Sequence, residues 1–391
     1  MNFLDIALLV LLLGYASSGY WQGFIVGAAS TLGLLGGGIA GIVFAPRLLE
    51  ATGDTLLIGL GGLVIVVLAA GLGQLVGGFI GAQVRRHITW QPARALDAVG
   101  GAALSVFAVL LVAWALGYAI SGARIPWLGD QVRSSAVLAA VDTVMPDDAA
   151  QALGSFDKLI GSDLFPRFLE PFVAERIVEV PPATAKVLRD ADVRQAAGSV
   201  VKIVGEAPRC NRGLEGSGFV YAPGRVMTNA HVLAGVSRVS VEVDGDRLPA
   251  RVVEFDPTYD VAVLAVDGLA AQALRFDRGG EARDAGAVLG YPENGPFRAA
   301  PARIRSEQRL RSPDIYDGGG AVREVFSIRS DVRPGNSGGP LVSASGRVYG
   351  VVFAASVTDQ STGYVLTADQ VAAAARAGRN NDEAVSTGEC A

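Results

Sequence analysis

Three short segments carry residue types that together could perform acyl transfer. Gly335-Asn336-Ser337-Gly338-Gly339-Pro340 frames a serine with glycines on both sides. Such a turn can expose the Ser337 hydroxyl and point the N–H groups of Gly335 and Ser337 at one small volume. A nucleophile beside two donors is what a developing oxyanion requires. Thr228-Asn229-Ala230-His231-Val232 supplies a histidine, one of only two in the chain, the other being His87 among apolar stretches. An imidazole takes and returns protons near neutral pH. Asp256-Pro257-Thr258-Tyr259-Asp260 leads into the apolar run Val261–Val266 and offers two carboxylates. Asp260 is preferred over Asp256, because it abuts the strand and a strand end is the more rigid mount. It would accept a hydrogen bond from imidazole Nδ1 and fix the tautomer.

The chain order His231, Asp260, Ser337 is that of chymotrypsin-like proteases, not of subtilisins or α/β-hydrolases. The three segments, with Gly216-Ser217-Gly218-Phe219-Val220 before the histidine, resemble the motifs of trypsin-like proteases of the HtrA type over residues 196–378. The resemblance implies Ser337 as nucleophile, His231 as general base and then acid, and Asp260 as its orienter. Gly335 and Ser337 would form the oxyanion hole. It also implies two six-stranded barrels and a C-terminal helix, with the site between the barrels and no metal or organic cofactor.

Specificity is less clearly written. Asp331 stands six residues before Ser337, where trypsin-like enzymes place the base of the primary pocket, and an aspartate there would favour Arg or Lys. The alternative is a solvated loop acid beside Arg329 and Arg333. Val351–Ser356 is expected to form the pocket wall, and Phe353 with its small neighbours could equally shape an apolar pocket. Asn336 replaces the aspartate that pairs with a freed N-terminus in pancreatic-type zymogens, so activation by that route is not expected.

The elements that must position these residues change character along the chain. Residues 196–391 read as short β-runs separated by Gly, Pro and Asp turns: Val200–Val204, Val239–Val243, Val261–Val266, Ala287–Tyr291, Val325–Ile328, Val348–Val352 and Gly363–Leu366. This is an all-β pattern, closed by a helix over Ala368–Ala377. Residues 121–195 form a connector with helical spacing at Val132–Val144 and Ala149–Ile160, interrupted by Pro146, Pro166 and Pro171 and ended by Pro181-Pro182. A spacer, a segment packed on the catalytic domain and a cleavage site are its alternative readings; spacer is the expectation.

Residues 1–120 form the third region. The chain is 50% hydrophobic with a mean hydropathy of +0.37, and the excess lies here. Four spans are expected at Phe3–Tyr20, Phe24–Phe44, Leu56–Ala82 and Ala98–Ile120, each near the ~20 residues that cross a bilayer core. A cleaved signal peptide is disfavoured for the first, which lacks a basic leader and carries Asp5. Gly33, Gly37, Gly41 and Gly73, Gly77, Gly81 recur every fourth residue, a spacing that lets helix backbones approach closely. No charged residue sits mid-span to mark an ion route. The Arg85–Asp97 connection carries Arg85, Arg86 and Arg94. The positive-inside rule places it in the cytoplasm, and the N-terminus and everything after residue 121 outside.

Charge and cysteines agree with that arrangement. The eight charged side chains of residues 1–120 cancel, so the net charge of −5 belongs to the remainder. A mildly acidic soluble part has no footprint for nucleic acid. The two cysteines, Cys210 and Cys390, are even in number and lie outside, where a disulfide between them is expected rather than two free thiols. They form no metal-site pattern.

Four spans before a chymotrypsin-like domain, with paired cysteines and too little chain after the closing helix for a peptide-binding PDZ domain, resemble the actinobacterial membrane-anchored periplasmic serine proteases of the MarP type. Their membrane part is similar to the CvpA (colicin V production) family. The resemblance implies cleavage of cell-envelope proteins in resistance to acid and oxidative stress. An inactive protease-like binding domain on a membrane scaffold is the competing reading, disfavoured by the complete set of catalytic residues. An HtrA-like sensor that also binds unfolded chains is disfavoured by the missing PDZ domain.

Overall fold

A computed structural model describes residues 1–49, 55–121, 126–146, 149, 172–210, 212–243, 245–316 and 318–391. It divides into two compact units, residues 1–117 with 135–144, and residues 118–134 with 145–391.

The first unit is built on four long helices, α1 (Phe3–Gln22), α2 (Phe24–Leu49), α3 (Thr55–Arg86) and α4 (Gln91–Ser121). Windows of all four are long and apolar enough to cross a membrane. The glycine faces of α2 and α3 meet: a Cβ added to Gly33 would run into the Gly73 carbonyl, and one on Gly73 into that of Gly33. Carbonyl and backbone therefore occupy the space that any side chain would need, as small-residue packing in lipid requires.

Among the described residues, Asp97, Arg85 and Asp5 lie near helix ends. Asp97 accepts from the Ile25 amide at the start of α2 (2.9 Å) and from Arg85 Nε (2.7 Å). Asp5 is fully buried and accepts from Ser135 Oγ (2.6 Å) and the Val137 amide (3.1 Å). The bond from the Val137 amide satisfies an orphan donor at the start of the short helix α6 (Ala136–Asp142), which follows α5 (Pro126–Arg133). The bonds to Asp5 also set the beginning of α1 beside the chain that leaves α4, as an even number of spans requires.

The expected connector helix over Val132–Val144 is thus two short helices, broken at Ser134-Ser135, where Ser135 caps α6 through the Leu138 amide. Apart from Ala149, the expected helix over Ala149–Ile160, with Pro166 and Pro171, lies outside the described residues. From Phe172 to Val180 the chain is extended and runs along the outside of the catalytic unit. A turn of 3-10 helix at Ala185–Arg189 and α7 (Ala191–Ala197) follow.

Twelve strands then close into two antiparallel barrels of six. The first comprises β1 (Val200–Ala207), β2 (Arg212–Ala222), β3 (Arg225–Thr228), β4 (Arg238–Val243), β5 (Asp246–Asp256) and β6 (Val261–Val266). The second comprises β7 (Ala285–Gly290), β8 (Arg298–Pro313), β9 (Gly320–Arg329), β10 (Pro340–Ser343), β11 (Val348–Ala355) and β12 (Thr362–Thr367). Each barrel is filled by inward apolar side chains, Ile203, Val226, Val241 and Leu264 in the first and Val288, Ile304, Ile328 and Leu341 in the second. A further cluster, including Phe219, Met227, Phe353 and Tyr364, also takes in α8 (Ala372–Asn380) through Ala374 and Ala375.

Cys210 and Cys390 form a disulfide. The chain before Cys390 lies along the first barrel, where the Gly235 amide donates to the Thr387 carbonyl (3.1 Å) and the Val385 amide to that of Val252 (2.8 Å).

Candidate active site

The three sequence segments converge where the barrels face each other. His231 follows β3 directly, in a turn closed by the Leu233 amide donating to the Ala230 carbonyl (2.9 Å). Asp260 immediately precedes β6 and takes the left-handed conformation, φ 59°. Aspartate tolerates that region better than most side chains do. The Asn229 amide donates to the Asp260 carbonyl (2.8 Å) and so fixes the turn to the histidine segment.

The Asp260 carboxylate is completely buried and faces His231. Oδ1 accepts from the His231 main-chain amide (2.9 Å) and lies 3.0 Å from Nδ1, and Oδ2 lies 2.8 Å from Nδ1. One carboxylate therefore holds both the backbone and the ring of the histidine. With Nδ1 donating, Nε2 is left to accept a proton. Asp256 is used differently: its Oδ1 accepts from the amides of Thr258 and Tyr259, both at 3.0 Å, and shapes the turn.

Ser337 comes from the second barrel, just ahead of β10. Its hydroxyl is buried and has no hydrogen-bond partner among the described residues. The N–H groups of Gly335 and Ser337 likewise donate to no acceptor among those residues. Gly335 has φ +87°, and a Cβ there would run into the Tyr291 carbonyl oxygen, so the turn admits only glycine. Asn336 caps this turn from within, accepting at Oδ1 from the Arg333 amide (2.9 Å) while its own amide donates to the Arg333 carbonyl (3.0 Å).

Two residues without an assigned role in the sequence join the barrels here. Ser217 of β2 donates from its amide to the Ser337 carbonyl (2.9 Å) and from its hydroxyl to the Gly335 carbonyl (2.6 Å), and its hydroxyl accepts from the Tyr291 amide (2.8 Å). It fastens the serine turn to the barrel that carries the histidine. Arg323 of β9 reaches the other way. Its Nη2 donates to the Thr258 carbonyl (2.9 Å) and the Pro313 carbonyl (2.9 Å), and its Nη1 to Ser312 Oγ (2.9 Å). The guanidinium also lies over the Phe353 ring, 5.7 Å from its centroid. Burial pushes its pKa down, while the charges of Asp260, Asp314 and Asp256 oppose that shift. An arginine inside the protein has no sequence signature of its own, and only the fold brings it to the aspartate turn.

A cleft of about 260 Å³ opens immediately upstream of the serine turn, lined by Glu293, Asp331–Pro334, Ala355–Val357 and Gln360. Asp331 is on its rim, half-exposed and bound by Arg333, whose Nε and Nη2 both lie 3.0 Å from Asp331 Oδ2. Phe353 is not among the lining residues. It is 1% exposed and packs in the core. The register shift between Val352 and Ala354 makes it the extra residue of a bulge on β11, and a bulge changes which side chains face which side.

Two six-stranded barrels with a histidine–aspartate pair on one and a glycine-framed serine on the other define a trypsin-like peptidase. Residues 216–351 match the trypsin-like peptidase domain family, and residues 4–146 the colicin V production protein family. The chain is 38% identical over 376 residues to serine protease Rv3671c of Mycobacterium tuberculosis H37Rv, covering 95% of this chain and 94% of that one. Serine protease MT3772 of M. tuberculosis CDC 1551 matches equally. The crystal structure of the active form of the Rv3671c protease aligns with a TM-score of 0.54 at 45% identity, covering 57% of this chain and 98% of that one. The chain belongs to this family of serine proteases, anchored to the membrane by a colicin V production-type region.

Proposed function

We propose that Ser337 is the nucleophile, His231 the general base and acid, and Asp260 the residue that orients the imidazole. What carries the proposal is a buried, unpartnered serine hydroxyl on a turn fastened to the barrel of an imidazole held by a buried carboxylate. His231 Nε2 takes the Ser337 proton as Oγ attacks the scissile carbonyl. The free N–H groups of Gly335 and Ser337 receive the oxyanion, and the imidazolium returns the proton to the leaving amine. Water then repeats the cycle on the acyl-enzyme. No bond between the Ser337 hydroxyl and His231 is formed in this structure, and such contacts commonly tighten only once substrate is bound.

The cleft beside the turn is proposed to receive the side chain on the acyl side of the scissile bond. Asp331 is already neutralised by Arg333, and Val332, Pro334, Ala355 and Val357 supply apolar walls. We therefore favour an uncharged over a basic side chain.

The protease unit is proposed to face the periplasm or its equivalent. The Arg85–Arg86 end of the helices would lie in the cytoplasm by the positive-inside rule, opposite the Asp5–Ser135 end. The substrates would then be proteins of the cell envelope, and the role one in acid and oxidative stress. The proposed division is a membrane domain over 1–120, a connector from 121, and a protease domain through 391. The boundary between the last two is proposed at 195/196, with residues 176–180 of the connector bonded to the second barrel.

Labelling with a fluorophosphonate probe tests the core of this reading. Wild type in membranes is expected to label and Ser337→Ala not to; an unlabelled wild type, or a labelled variant, rejects it.

A further inference from the structure

The connector does not merely link the membrane unit to the protease. Between Phe172 and Val180, both buried, it lies against the second barrel through a series of bonds to its main chain. Arg305 Nη1 donates to the Val178 carbonyl (2.9 Å), Arg329 Nη1 to that of Val180 (2.6 Å) and Gln308 Nε2 to that of Arg176 (2.9 Å).

One side chain of this strap reaches the cleft wall. The Glu175 carboxylate accepts from the hydroxyl of Ser356, the amide of Val357 (3.2 Å), the hydroxyl of Thr358 (2.9 Å) and that of Tyr364 (3.4 Å). Ser356 and Val357 line the cleft. They begin the loop between β11 and β12, and this loop has no other acid to receive those first donors: its own Asp359 is turned to Ser361 and Thr362. The strap also holds the far end of the loop. Arg305, 1% exposed, donates to the Val178 carbonyl with one nitrogen, and with Nη2 to Asp359 Oδ2 and Ser361 Oγ, both at 3.1 Å.

We propose that Glu175 is a positioning residue for substrate selection, supplied to the cleft wall by the segment that leads from the membrane. This rests on the cleft being the substrate side-chain site. A carboxylate gathering several donors fixes the wall more tightly than neutral partners could, because hydrogen bonds to a charged acceptor are the stronger ones. Without it, a main-chain amide and two hydroxyls at the lip must turn to water, and the wall loses its set shape. The tether and the selectivity of the enzyme are then one structural unit.

The test uses the full-length protein in detergent micelles and a peptide series varied at the residue entering the cleft. Probe labelling of wild type and Ser337→Ala is run first, so that failure of the catalytic reading is seen separately. For Glu175→Ala, KM for the best peptide is expected to rise about tenfold, as the loss of charge-assisted hydrogen bonds at the wall implies. The effect on kcat should be smaller, and the ranking of peptides should flatten. Should Glu175→Ala not fold, Glu175→Gln and Thr358→Val pose the same question. Each removes part of the bonding, and a KM rise of a few-fold is expected from either. Wild-type KM and wild-type ranking in every folded variant would overturn the proposal.

Discussion

Asp260→Asn is the most demanding test of the site. Asparagine matches aspartate in shape and tolerates the φ of 59° found here, so the turn should be retained. Its bonding differs at one point. Oδ1 can still accept from the His231 amide at 2.9 Å. The NH2 group then takes the place of Oδ2 and faces Nδ1 at 2.8 Å. A donor there requires Nδ1 to accept, which moves the ring proton to Nε2, facing the serine. The base is then blocked, and the buried negative charge that stabilises the imidazolium is lost as well. In the Ser-His-Asp template this substitution lowers kcat by about 10⁴, which is about 5 kcal/mol of transition-state stabilisation. Steady-state kinetics on a cleavable peptide, with a melting curve to confirm folding, measures it. A folded Asp260→Asn enzyme with kcat within tenfold of wild type would refute the assignment of Asp260.

Further outcomes are expected elsewhere in the protease unit. Arg323→Met should leave the carbonyls of Thr258 and Pro313 unsatisfied and destabilise by about 2–5 kcal/mol. It should also lower kcat, with only partial recovery in Arg323→Lys, because a lysine lacks the fork; an unchanged melting temperature and rate would contradict the role given to this residue. Reducing the Cys210–Cys390 bond, which spans 180 residues, should lower stability by about 5 kcal/mol on the chain-entropy view; calorimetry with and without reductant shows whether it does. Asp359 is raised by burial, but the hydrogen bonds from Thr362 and Ser361 and the charge of Arg305 outweigh that and hold it below 3.8. Its contribution is therefore full above about pH 4 and lost as pH falls through the folded-state value. Asp359→Asn should accordingly melt below wild type at pH 7, and the gap should narrow as pH falls through the acid range; a gap that is constant with pH would count against it.

Much of this protein can be read from local residue order. The serine, histidine and aspartate segments are legible because each needs a particular short neighbourhood: glycines for the turn, a strand end for the aspartate. The four spans are legible because a bilayer demands long apolar runs, and the α2–α3 contact because glycine at every fourth position leaves one helix face bare. The β-runs that could be seen are those rich in valine and other apolar residues, whether buried on both faces like β6 or half-exposed like β4. Strand β8 was hidden by Arg298, Arg303, Arg305, Arg309 and Arg311, which give it a polar appearance until their partners are known. The closing helix begins at Ala372 rather than at Ala368, since residues 368–371 form a turn ahead of it.

What the order of residues determined by itself was a set of residue types and its mounting: a glycine-framed serine, a histidine and an aspartate on β-structure behind a membrane anchor. Tertiary structure alone decided which neighbours hold them. Ser217 and Arg323 act largely on main-chain carbonyls of other segments, and a carbonyl carries no residue-specific mark to be recognised in advance. It also decided that Phe353 fills the core, because a one-residue bulge changes the facing of a strand, and that Asp331 meets Arg333 instead of an open pocket. Such outcomes depend on the closing of the barrels and on how two of them meet, and neither is specified by any single segment.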